Sequence, residues 1–312
     1  MKEYSPSAGL GGLCRLFGKS RQAYYKQQKS DKRDDMAQEL IIKRVKEIRD
    51  QMPRIGTRKL YHLLAEPLLG HGITIGRDGL FDLLANHGLL VRRRKRRKIY
   101  TTNSNHRFKK YPNLIRDLEV VRPEQLWVSD ITYIRQQNGF SYLSLVTDAY
   151  SRKIVGYCLY PTLQKEGPGK ALDMALTSRM QRSDLLIHHS DRGIQYCSDG
   201  YTNVLQNEKI SISMTEKGDP YENAIAERVN GILKSEFGLD KCFDNYQAAL
   251  AQVDKVVPIY NQQRPHSSCN YLTPAQAHQQ RGKMPSRWQK RDLTFTASDH
   301  PLPGLSTYPQ GL

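Results

Sequence analysis

Between residues 125 and 214 the hydrophobic pattern changes period in a fixed order, and that order restricts the fold more than any other feature of the chain. Gln125 to Arg135 is rich in β-branched and aromatic residues, Asn138-Gly139 is a two-residue hairpin turn, and Phe140 to Thr147 returns as a second strand. After a turn at Ala149 to Arg152, Lys153 to Tyr160 supplies a third. Helix and strand then alternate: a helix in about 169–181, a strand over Leu185 to His189, a helix after Gly200 and a strand over Ile210 to Met214. Further helices are predicted from about Pro220 to Phe237 and from Asn245 to Asn261. Three antiparallel strands followed by this alternation make an α/β unit, a mixed five-stranded sheet flanked by helices.

The part before it has a different character. Up to residue 120 there are 27 Lys and Arg against 12 Asp and Glu, and beyond it 21 against 19, so the net charge of +17 belongs almost wholly to the first part. A polyanion such as nucleic acid is the partner that balance fits. Residues 13 to 26 read as two short helices around Gly18, with Ser20 as N-cap of the second, in the outline of a helix-turn-helix. From Asp31 the residues Met36, Leu40, Ile41, Val45, Ile48 and Met52 recur at helical spacing up to Pro53. A second helix carries Leu60, Leu63 and Leu64 and is expected to end before Pro67, and a third, Arg77 to His87, ends at Gly88 as C′ residue. These three make a second helix-turn-helix candidate with the Arg77 helix as its reader. Arg92, Arg93, Arg94, Lys95, Arg96, Arg97 and Lys98 follow without a break, a run whose self-repulsion favours an extended arm along phosphates.

Five cysteines without C-x-x-C spacing, and His188-His189 without further ligands at metal spacing, speak against a disulfide scaffold and a zinc site. The absence of an apolar run near the roughly 20 residues of a membrane span leaves a cytoplasmic protein as the expectation, nucleoid-associated when bound to DNA. The chain divides into 1–30, a short helical segment; 31–91, a helical DNA-binding domain; 92–121, arm and linker; 122–280, the sheet domain; and 281–312, an irregular tail.

Three carboxylates stand out in the sheet domain. Asp130 lies mid-strand in an otherwise apolar run, where an unpaired carboxylate costs several kcal/mol. Asp191 ends an apolar strand and opens a turn containing Gly193. Glu227 lies on a helix for which Asp219 serves as cap, Pro220 as first-turn residue and Glu222 as the partner in a capping box. On that helix Asn223, Glu227, Asn230, Gly231 and Lys234 share one face. Sixty residues separate Asp130 from Asp191, and 35 separate Asp191 from Glu227. Converging at one end of the sheet, such hard oxygen ligands suit two Mg²⁺ ions and phosphodiester chemistry.

The motifs WVSDITY around Asp130, HHSDRGIQY around Asp191, YENAIAERVNGILKSE around Glu227 and YNQQRPHSSCNYLTP from Tyr260 resemble those of insertion-sequence transposases of the IS three group, within the retroviral-integrase-like DDE superfamily. The resemblance spans about residues 10 to 280. It departs at Glu222, where Asp is usual, and at Cys269-Asn270, where Leu-Gly is frequent. It implies a ribonuclease H-like core in which Asp130, Asp191 and Glu227 are the catalytic and metal-binding acids, with Mg²⁺ as cofactor and Mn²⁺ able to substitute. It also implies DNA contacts from Asn223 and Lys234, and support of the core or the DNA by Arg264 and His266. The expected partners are the element's terminal inverted repeats, target DNA, further copies of the chain, and an upstream-frame protein joined by frameshifting. The reading is a metal-dependent DNA transposase that cleaves element ends and transfers the freed 3′-hydroxyl. A catalytically silent DNA-binding regulator and a nuclease that cuts without joining are the alternatives.

Overall fold

The computed structural model describes residues 10–92, 107–180, 182–216 and 223–284. Arg93 to Lys98, the capping residues Asp219 to Glu222 and the tail from 285 lie outside them. Four helices come first: α1 (Leu10–Leu16), α2 (Arg21–Gln51), α3 (Thr57–Leu69) and α4 (Arg77–Asn86). Ser20 caps α2 as expected, its side chain accepting from the Ala23 N–H at 3.0 Å. Gly88 takes the left-handed conformation after α4, with φ 64°.

Two expectations for this part need correction. The segments 20–26 and 31–52 are one helix, so the division at residue 30 falls inside α2. The polar stretch Lys29 to Asp35 has no apolar period but also no Gly or Pro, and nothing in it stops a helix already under way. Likewise α3 does not stop before Pro67 but carries it in its last turn. There the ring removes only one late intrahelical bond.

The sheet consists of β1 (Leu126–Gln136), β2 (Gly139–Asp148), β3 (Ile154–Tyr160), β4 (Ile187–Ser190) and β5 (Ser211–Met214) in the order β3-β2-β1-β4-β5. The first three pair antiparallel, and β1 with β4 and β4 with β5 pair parallel. This is the mixed five-stranded sheet of the ribonuclease H-like fold. Its helices are α5 (Glu166–Ser178), α6 (Ile194–Cys197), α7 (Asp199–Asn207), α8 (Ala224–Phe237), α9 (Tyr246–Gln263) and α10 (Pro274–Ala277).

Strand alternation divides the core into two layers. Leu143 and Leu145 face α8 and α9, packing with Val229, Leu233, Val253 and Val257, while Val146 joins Trp127, Ala171, Leu172 and Ala175 on the α5 side. On that side α5 crosses β3 with backbone in contact. A Cβ at Gly156 would lie 2.0 Å from the Ala171 carbonyl oxygen, so only glycine fits. The buried residues of the N-terminal helices and their connections, among them Val45, Ile55, Leu60 and Leu84, are continuous with the layer under α8 and α9.

Candidate active site

Register explains how two of the acids meet. In the parallel pairing of β1 with β4, Leu126 stands beside Ile187 and Val128 beside His189. The same register continued along both strands sets Asp130 beside Asp191. Asp191 immediately follows β4, and its Oδ1 accepts the Gly193 N–H at 3.0 Å. A Cβ on Gly193 would stand 2.9 Å from that oxygen, so a larger residue there would push the Asp191 carboxylate out of this position.

The third acid arrives on α8, and two amides hold that helix against β1. Asn223 donates from Nδ2 to the Ser129 carbonyl at 3.1 Å, and Asn230 donates from Nδ2 to Oδ2 of Asp130 at 2.7 Å. Glu227 lies between them in sequence, on the first turn of α8, exposed, with its N–H bonded to the Asn223 carbonyl at 3.1 Å. The shared face predicted for Asn223, Glu227 and Asn230 is therefore the face turned to β1. Because α8 begins at Ala224 with Asn223 as N-cap, the predicted start at Pro220 is corrected: the tie of Asn223 to β1 sets where the helix begins. Asn223, expected to contact DNA, has a buried side chain whose Nδ2 is given to β1.

The electrostatics follow from this crowding. Burial, and then the Asp191 carboxylate, push the Asp130 carboxyl up to about 7; the Asn230 and Ile131 N–H groups pull it down, and Glu227 adds further repulsion. Lys234, part-buried on α8, is held below the usual lysine range by burial, while Asp130 and Asp240 attract its charge and raise it. The Tyr196 hydroxyl and the Oδ1 atoms of Asn223 and Asn230 are buried without a hydrogen-bond partner among the described residues. The Tyr196 hydroxyl also feels the charge of both Asp130 and Asp191.

The two adjacent histidines are framework. His188 Nε2 lies 2.8 Å from Ser129 Oγ and 2.9 Å from Tyr201 Oη, and His189 Nδ1 lies 2.8 Å from Ser213 Oγ. Burial lowers His188 to about 3. Among the described residues no three His, Cys, Asp or Glu side chains gather closely enough to close around one ion, while the charges of both Asp191 and Glu227 reach Asp130.

The closing motif also belongs to the framework. Asn261 pairs both ways with the Ile154 backbone, at 3.0 and 2.9 Å, and the Tyr260 hydroxyl donates to the Arg152 carbonyl at 2.9 Å. Arg264, 1 % exposed, donates from Nε and Nη2 to the two carboxylate oxygens of Glu236, both at 2.8 Å. Lys59 of α3 donates to the same carboxylate at 3.0 Å, and the Arg54 N–H to the Glu236 carbonyl at 3.0 Å. Sequence reasoning missed Glu236 as the joint between the N-terminal helices and α8; the only signal was Arg264 in the closing motif, expected to support the core or the DNA.

Residues 120–220 match the family described as Integrase core domain, and residues 208–274 match a second family of the same description. The "Insertion element IS600 uncharacterized 31 kDa protein" of Shigella sonnei is 39% identical over 270 residues, which are 84% of this chain and 96% of that protein. The "Transposase for insertion sequence element IS629" of Shigella sonnei is 31% identical over 277 residues, 86% of this chain and 91% of the relative. The chain belongs to the insertion-sequence transposases. Its reaction class is polynucleotidyl transfer in DNA transposition. A solved structure similar to this transposase is the HTLV-2 integrase catalytic core domain in complex with magnesium, 18% identical, with a TM-score of 0.40, covering 50% of this chain and 97% of that one. No helix of the transposase, among the described residues, is long and apolar enough to cross a membrane.

Proposed function

We propose that Asp130, Asp191 and Glu227 are the acids with which this transposase cleaves element ends and joins them to target DNA in a Mg²⁺-dependent reaction. The observation that carries the reading is the placement of Asp130. It adjoins Asp191 through the β1–β4 register, and it is tied to the helix that bears Glu227 through Asn230 at 2.7 Å.

The donor set fits a hard divalent cation. Carboxylate oxygens are the ligands Mg²⁺ and Mn²⁺ prefer, and charges that raise one another in a crowded site are the arrangement a cation relieves. The buried Oδ1 atoms of Asn223 and Asn230 and the Tyr196 hydroxyl add polar groups that metal-bound water would satisfy. Asp130 with Asp191, and Asp130 with Glu227, are the pairs that would hold the metal. When bound, it supplies polarisation of a phosphate oxygen and activation of a water or 3′-hydroxyl.

The side chains of the protein do the positioning. Asn230 fixes the Asp130 carboxylate oxygen in place, Gly193 lets the Asp191 turn close, and Asn223 anchors the start of α8 so that Glu227 stays on the face turned to β1. Lys234, held near Asp130, is placed to meet a phosphate of the cleaved strand. The 31–91 helices and the basic arm, Arg92 to Lys98, supply DNA recognition, with Arg77 on α4; its guanidinium pairs in this structure with Asp78 at 2.8 Å. Paired ends require more than one protomer, and a fusion to an upstream-frame protein would supply dimerising heptads. Incubation of the full chain with a labelled element end and Mg²⁺, scoring nicked and joined products separately, tests the reading. Both products are expected, and nicks without joints would favour a nuclease instead.

A further inference from the structure

A groove of about 890 Å³ lies between the N-terminal helices and the sheet domain beside their shared core, and its lining includes none of the three acids. Arg58 and His62 of α3 and Arg77 of α4 line it from one side, and Arg152 and Tyr271 from the other. Ile225, two residues before Glu227 on α8, lies in its lining as well, so the groove leads to the start of that helix.

Three features set its ligand class. First, its charged lining is four cations, Arg58, Arg77, Arg152 and Lys283, against one carboxylate, Glu119, which pairs with Lys283 at 2.7 Å on the exposed surface. Such an exposed pair is readily given up to a phosphate. Second, His62 and Tyr271 are stacked with ring centroids 3.6 Å apart, and His62 is exposed, which offers a flat face inside a basic channel. Third, Arg152 and Tyr271 both hold left-handed backbone, φ 66° and 63°. That conformation is costly for a residue with a side chain and collects where a ligand is gripped. Arg152 is further fixed by bonds to Ser268 Oγ and the Ala149 carbonyl.

We propose that this groove binds an unpaired DNA strand, with phosphates against Arg58, Arg152 and Lys283 and a base against the His62–Tyr271 stack, on the path to Glu227. A duplex presents only its phosphates to such a wall, whereas an unpaired strand can use both the cations and the ring face. The proposal rests on the transposase reading for its ligand and on the Glu227 assignment only for the direction of the path.

The test is fluorescence anisotropy on the full-length protein in EDTA, so that failure of the acid assignment leaves the readout untouched. The probes are a blunt duplex of the element end, the same duplex with an unpaired 3′ extension, and one with an extension of unrelated sequence. The variants are Arg58→Gln with Lys283→Gln, and His62→Ala, all at exposed positions, with melting midpoints checked against the parent. His62→Ala should weaken binding of the extended probes about tenfold. The double variant should lower the slope of log affinity against log salt by about 1.4 on the extended probes. The blunt duplex should change far less. Preference for the element's own extension or indifference to its sequence both support the proposal, and they tell the transferred end from any displaced strand. Equal losses on blunt and extended probes would overturn it in favour of a duplex track, and unchanged binding by both variants would overturn it outright.

Discussion

Replacing Glu236 by Gln should be among the most damaging single changes in the protein, although the residue lies away from the acids. Its carboxylate receives two bonds from Arg264 and one from Lys59, all between 2.8 and 3.0 Å, with side-chain exposures of 15% for Glu236, 1% for Arg264 and 17% for Lys59. Burial raises the Glu236 carboxyl, but the bonds and charge of Arg264 and Lys59 outweigh it and hold the group below the usual glutamate range. Removing the charge leaves a buried guanidinium uncompensated, which costs about 3–5 kcal/mol. Lys59→Met should cost far less, about 1 kcal/mol or under, because Lys59 itself is penalised by burial and by the Arg264 charge. The sign of the pH dependence follows from the depressed carboxyl. The stabilisation is present above the unfolded-state pKa near 4.5 and is lost as pH falls through the lower folded value. Urea unfolding at neutral pH, with wild type, both single variants and the double variant, gives the numbers directly. A Glu236→Gln midpoint no lower than that of Lys59→Met would refute the reasoning, since it would mean that the Arg264 pair contributes nothing.

Other outcomes follow from the same structure. His188 and His266, lowered to about 3 and about 2 chiefly by burial, stay neutral in the native state while the unfolded chain takes up protons below its value near 6.5. Each should therefore remove up to about 1.4 kcal/mol of stability per pH unit as pH falls through that window, and His188→Gln should flatten the urea midpoint against pH. Gly156→Ala should destabilise by about 1–3 kcal/mol or more, because its Cβ would meet the α5 backbone, and a thermal melt reads that loss. Replacing Arg92 to Lys98 by Gln should weaken DNA binding across sequences and flatten its salt dependence, read by filter binding at several salt concentrations.

The sheet was legible because its turns are short and its periods clean. Asn138-Gly139 fixes the first hairpin, β-branched runs mark the strands, and a Gly-containing turn after an apolar strand places Asp191. Separation along the chain does not give contact, yet the shared helical face of Asn223, Glu227 and Asn230 did foreshadow how α8 meets β1. Illegible were features decided by tertiary packing. A polar helix that runs through residue 30 and a proline inside α3 both defeat local stop signals. The four-way use of Glu236 depends on α3 meeting α8, 177 residues apart in sequence for Lys59. The buried setting of His188 depends on Tyr201 from α7, which no local pattern announces.

The central claim is that Asp130, Asp191 and Glu227 act as one acid set. The most direct measurement compares Asp130→Asn, Asp191→Asn and Glu227→Gln with the parent in end cleavage and strand transfer with Mg²⁺, alongside DNA binding by mobility shift. Each variant is expected to lose nearly all cleavage and joining while binding DNA close to normally. Retained nicking by Glu227→Gln, the exposed and least crowded of the three, would contradict the account.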